Sequence, residues 1–224
     1  MATWDTADLI SRFRYIIGRP ETDEALSTDR AYALLSEAQD RVMEDMATHV
    51  PWLNYGAPEL MTSSDGGYTY TTAYDALGHM EIYPRLNAQP LSCGAFWDTS
   101  KDYCLDGPRT IRMTGNRQRT FSAGPYARYV RADIPVLSAS QNPILEPDRA
   151  RMLIVYRAAA TWAERGGMKD PEPYERLYAK TAWGNPQTGS VGLFTAEKNK
   201  VFGQGGEAFA DGGGAGWWRS SDLG

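Results

Sequence analysis

At 224 residues and 42% hydrophobic content, the chain can build one domain with an elaboration, or two small domains. No stretch approaches the ~20 consecutive apolar residues that a bilayer span requires, and Asp5 and Asp8 stand where a secretory signal is basic, so a soluble, unexported protein without membrane contact is expected. The net charge of −5 is unevenly placed: residues 1–66 hold 12 acids and 5 bases, residues 109–131 hold 6 arginines and no acid, and the molecule should have distinguishable ends.

In chain order, Asp5 or Thr6 caps a short helix whose apolar side is Leu9, Ile10, Phe13 and Ile17, and Gly18-Arg19-Pro20 ends it. After a polar linker, a stronger helix runs from about Asp29 to His49 with Ala31, Leu35, Ala38, Val42 and Met46 as its stripe. Its opposite side carries Glu37, Asp40, Glu44 and Asp45. Such a face is either solvated or lines a space that must repel anions.

Residues 56–143 read as an inserted β-module of about five strands, because short alternating runs are broken by Gly, Pro, Asn and Asp. The strand candidates are Tyr68–Tyr74, His79–Pro84, Arg109–Thr114, Arg117–Phe121 and Tyr126–Arg131, with Asn87–Gly107 as a long loop. Gly115-Asn116 supplies the positive φ of a tight hairpin between the third and fourth runs. Arg109, Arg112, Arg117, Arg119, Arg128 and Arg131, with Tyr126 and Tyr129, suit a grip on phosphates, a solvated face or a charged protein interface. The pI of 5.1 and the absence of lysine in that span weigh against nucleic acid.

Residues 144–183 carry the clearest instructions and predict a helical hairpin. Pro147 and Asp148 suit a first helical turn, and Met152, Val155, Tyr156, Ala159, Trp162 and Ala163 draw one apolar stripe, with Arg149, Arg151, Arg157 and Arg165 mostly off it. Gly166-Gly167 closes that helix; Asp170-Pro171 opens a second, with Tyr174, Leu177, Tyr178 and Thr181 on its face, ending at Gly184-Asn185-Pro186. With residues 1–55 they form one bundle, with Val42, Met46, Leu153, Tyr156, Trp162, Leu177 and Tyr178 buried. The fold class is therefore α+β: a small helical bundle, an inserted antiparallel β-module, and a tail over residues 184–224.

That tail holds 11 glycines in 41 residues and cannot build a core of its own. Phe194, Phe202, Phe209, Trp217 and Trp218 are apolar anchors along it, and Lys198, Lys200 and Arg219 add charge, so it is expected to order on a portal or neighbouring subunit. Catalytic signatures are missing: there is no phosphate loop, HExxH, GxSxG or CxxC. Asp45 and His49 share a helix face but lack further metal ligands, Cys93 has no base beside it in sequence, and Cys93 and Cys104 are expected as free thiols. No catalytic residue, metal or cofactor is expected.

The order of elements, with DRAYALLSEAQDRVMED at 29–45 and residues 146–183 with their long helix, Gly-Gly break and terminal YERLYAKTAW, resembles the head-to-tail connector (adaptor, head-completion) proteins of tailed bacteriophages over about half the chain. The resemblance implies a structural virion protein, assembled in the host cytoplasm, that docks as a homo-oligomeric ring, a dodecamer, beneath the portal. It extends the channel for passing double-stranded DNA and offers a surface to the next neck or tail protein. Acids at 37, 40, 44 and 45 would then line the channel. The alternatives are a nucleic-acid-binding module built on the arginine hairpin and, third, a hydrolase with an unrecognised site.

Overall fold

The computed structural model describes residues 4–20, 24–122, 124–145, 148–166 and 170–202. Among these residues it is an α+β fold of five helices and antiparallel sheets, and the chain divides into two compact units, residues 1–38 with 147–224 and residues 39–146.

The helical unit begins with α1 (Thr6–Ile17). Asp5 and Asp8 form a reciprocal capping box, satisfying two otherwise orphaned amides, and Gly18 in the left-handed region closes the helix. Leu9, Phe13 and Ile17 fill its buried side. Arg14 is also buried there, and its guanidinium donates to the Leu26 carbonyl at 3.3 Å and to Thr28 Oγ1 at 3.2 Å, which fastens α1 to the start of α2 (Thr28–His49).

α3 (Asp148–Glu164) packs against α1 and α4 (Glu172–Ala182). The single-stripe expectation for α3 is corrected. Leu153, Ile154 and Val155 are consecutive and all fully buried, so apolar surface covers more than one side, as befits a helix between two others. Arg151 is buried rather than off the stripe, and donates to the Trp4 carbonyl. On α4, Tyr174 is buried and Asp170 Oδ1 accepts from the Glu172 amide at 3.0 Å, but Leu177 is 39% exposed and Tyr178 half-buried. Leu177 therefore leaves the expected core.

Beyond α4 the chain does not run straight into an extended tail. β7 (Gly184–Asn185) and β8 (Ser190–Val191) pair as a small hairpin, and α5 (Leu193–Phe202) follows and packs on α4. Phe194 is completely buried and meets Trp183, at the end of α4, edge to face at 5.1 Å, so this part of the tail packs on the helical unit rather than building a core of its own.

Among the described residues the second unit contains six strands in two three-stranded sheets: β1 (Glu59–Leu60), β6 (Tyr126–Arg131) and β3 (Ala76–Tyr83) in that order, and β2 (Thr69–Thr71), β5 (Thr110–Met113) and β4 (Tyr103–Leu105). Met80, Ile82, Tyr103, Ile111, Met113 and Ala127 are at the centre of its core. It begins inside α2 at Gln39, not at Gly56, so Val42 and Met46, though fully buried, belong here rather than to the helical bundle. The Gln39 side chain donates to the Pro135 carbonyl at 3.0 Å and accepts from the Ile144 amide at 3.3 Å, holding the returning segment to the helix.

Two strand expectations fail here. Gly115 and Asn116 do have positive φ (62° and 54°), but Arg117–Phe121 forms no strand: β5 pairs with β2 and β4, and the Arg119 amide goes instead to the Gly67 carbonyl at 2.9 Å. The expected loop at 87–107 contains β4, whose Tyr103 is fully buried.

Candidate interaction surfaces

The six arginines are divided among β5, its flanks and β6, and most are already engaged. Arg109 donates to the Ala73 carbonyl at 2.8 Å and lies 3.5 Å from Asp75; Arg112 is 3.6 Å from Asp106. Arg119 pairs with Asp102 at 2.5 Å. Arg131 forms a two-pronged pair with Asp133 and stacks over Tyr74 at 3.4 Å, and Arg128 lies 5.8 Å from the Tyr55 ring. Asp102 and Asp133 are held below the usual carboxylate range: burial opposes this at Asp102, where Ser92 and Arg119 overcome it, while Arg131 leads at Asp133. Phosphate binding would have to displace these carboxylates, which weakens the case for an arginine grip. Arg117 is exposed.

The acidic face is also heterogeneous. Glu37 pairs with Arg165 at 2.7 Å, within the helical unit, so it adds little uncompensated negative charge. Asp40 and Glu44 are exposed and Asp45 is half-buried, all in the second unit.

Among the tail residues, the Phe194 side chain is buried in its own subunit and has no free face for a partner. Lys198 lies over the Trp183 ring at 5.2 Å, where burial lowers its pKa, and Lys200 pairs with Glu197. Phe194 thus packs inside its own subunit, whereas Lys198 is half-buried and Lys200 stays exposed. Phe202 ends α5; Phe209, Trp217, Trp218 and Arg219 lie outside the described residues.

Two features escaped the sequence reading. In the helical unit, Arg30, Ala33, Leu34, Glu37, Trp162 and Arg165 line an open cleft of about 140 Å³. Trp162 is 5% exposed and faces Arg19 at 5.5 Å, so the cleft has an aromatic and aliphatic floor with two arginines and one glutamate around it. In the β unit, Trp97 is 83% exposed at the corner of a tightly bonded loop. The Asp98 amide donates to the Ala95 carbonyl at 2.9 Å, and Asp98 Oδ1 accepts from the Ser100 amide and hydroxyl at 3.0 and 2.6 Å. The Gly115 amide holds the Phe96 carbonyl at 2.9 Å, and Arg112 lies 5.3 Å from the Phe96 ring. A tryptophan between turn residues, in FWDTS, was the available signal; the cleft had none, because its walls come from residues more than a hundred positions apart.

For chemistry, the described residues contain no group of three or more His, Cys, Asp or Glu placed to hold a metal ion. Burial pushes both the Cys93 and Cys104 thiols up, away from the reactive thiolate, and they are not bonded to one another. His79 is held neutral by burial, with its pKa lowered to about 4. No helix among the described residues is long and apolar enough to cross a membrane.

The chain matches no protein-family model and no curated protein. The molecule presents a compensated arginine face, an aromatic cleft and an exposed tryptophan, features suited to protein contact.

Proposed function

We propose that the chain is a structural head-to-tail adaptor of a tailed-phage virion, docking as a ring beneath the portal and offering the next neck or tail protein a surface. The observation that carries this reading is that the segments bearing the family resemblance, 29–45 and 146–183, contain most of α2 and all of α3 and α4, with the strands β1 to β6 lying between them in the sequence. Long helices give such a ring rigid walls, and the β unit supplies added surface. In the ring, Asp40 and Glu44 are the exposed acids suited to a channel wall, where they would repel passing DNA phosphates. Partner docking by the tail falls to residues beyond Phe202, with Phe209, Trp217 and Trp218 as anchors.

The deciding experiment is electron microscopy of the purified chain with and without portal rings from the same virus. Added density in a closed ring beneath the portal, with mass matching an integral number of 24.8 kDa copies, is the expected result. Portal rings that stay bare at high adaptor concentration would end the proposal.

A further inference from the structure

We propose that Trp97 of one copy seats in the Trp162 cleft of the next copy, entering between Arg30 and Arg165, so that a loop-to-cleft contact joins neighbouring subunits. The inference rests on the ring reading above and names the contact that would build the ring.

Three properties of the two surfaces point to each other. The first is chemistry: the floor is Trp162, Leu34 and Ala33, and the rim has two guanidinium groups, an environment in which an indole finds apolar burial, an aromatic partner and a cation near its face. The second is charge. The rim holds Arg30 and Arg165 against Glu37, one positive charge in excess, and the residue beside Trp97 is Asp98, a half-buried carboxylate whose charge lies next to the indole. The third is rigidity. The corner at 95–101 is fixed by the Asp98 and Gly115 hydrogen bonds, so little ordering entropy is lost when Trp97 docks.

Trp97 stands 83% exposed, so its indole is available to a second copy. The contact is heterologous, since loop and cleft are different surfaces, and heterologous contacts propagate head to tail until rotation closes them into a ring. A buried aromatic covers only roughly 150–250 Å², against the roughly 1,200 Å² of a specific stable interface. One such contact is therefore an anchor among surrounding contacts, and closure, which holds each copy on two sides, multiplies its effect.

The test is sedimentation of the full-length chain from low micromolar to near-millimolar concentration, comparing wild type with Trp97→Ala, Trp97→Phe and Ala33→Arg. Trp97 and Ala33 are both exposed, so these variants should fold, and a circular dichroism spectrum checks that they do. The proposal expects wild type to assemble, Trp97→Ala and Ala33→Arg each to need at least about thirtyfold more protein, and Trp97→Phe to retain most of the association. Trp97→Ala assembling at the wild-type concentration overturns the contact and leaves the ring reading intact. Loss in Trp97→Ala without loss in Ala33→Arg overturns the cleft as its receiver. Wild type that stays monomeric throughout also overturns the contact, and the ring reading is then judged separately by whether the chain decorates portal rings.

Discussion

The Tyr103 hydroxyl donates to the Met80 carbonyl at 2.8 Å, so a side chain on one sheet of the β unit completes the hydrogen bonding of the other at its irregular point. β3 and β6 lose register between Ala76 and Met80, and a carbonyl there has less assurance of a ladder partner. Tyr103 is fully buried, and burial pushes its phenol pKa far up, so it stays a donor across the accessible pH range. Tyr103→Phe keeps the ring and removes the donor. It should cost about 1–3 kcal/mol, read as a lower urea midpoint without a change in slope. An unchanged midpoint would mean that the Met80 carbonyl has another partner.

The internal part of the tail and the part beyond Phe202 should separate cleanly on truncation. Phe194→Ala removes a fully buried aromatic and should cost ~3–5 kcal/mol. Deleting residues 203–224 should leave the melting temperature within a few degrees of wild type while abolishing portal docking. Deleting from residue 190 should destabilise the helical unit as well. Truncation after Phe202 that docks normally would remove Phe209, Trp217 and Trp218 from the interface.

Stability should fall as pH drops from about 6.5 towards 4. His79 has its ordinary value near 6.5 when unfolded and about 4 when folded, because burial disfavours the cation. Above 6.5 neither state binds the proton; below it only the unfolded state does, so native stability is lost progressively until pH reaches the folded value. The shift corresponds to about 2–3 kcal/mol across that window. Asp98, Asp102 and Asp133 have folded values below 3.8, so their contributions are lost only below this range. Urea titrations at pH 7 and pH 4.5 on wild type and His79→Gln check this: the variant should lose less between the two.

Binding to double-stranded DNA should be weak even at ~50 mM salt. Arg109, Arg112, Arg119 and Arg131 all lie beside carboxylates, and a phosphate gains little where counter-charge is built in. Filter binding with a salt slope near zero is expected. A steep slope would return the arginine face to the nucleic-acid reading.

Helices were legible wherever period and caps agreed. Ala31, Leu35, Ala38, Val42 and Met46 fall at helical spacing and all five are fully buried, and Asp5 caps α1 as its position suggested. What the stripe did not carry was which unit each half serves, since periodicity marks a buried face and not its neighbour. β4 escaped because three residues are too few to alternate, and Tyr103 draws its importance from Met80, twenty-three positions away. At Gly115-Asn116 the local conformation was legible and the pairing was not: positive φ fixes a turn, while strand partners were decided by β2 and β4 from elsewhere in the chain. Average glycine content concealed LFTAEKNKVF, whose ten residues form α5. The cleft left no mark in the sequence because its walls come from distant segments, and Trp97 is marked only by the turn residues around it.

Glycine between α4 and α5 marks congestion. A methyl group at Gly184, whose φ is 102°, would run into the Ser190 carbonyl oxygen, and one at Gly192 would run into the backbone of Ala182 and Trp183. In a saturation-mutagenesis library selected for folded protein, these two positions should therefore tolerate almost no replacement, while Gly189, with open space around its added carbon, is restricted only by its own torsion. The most permissive-looking composition in the chain would then contain two of its least negotiable letters.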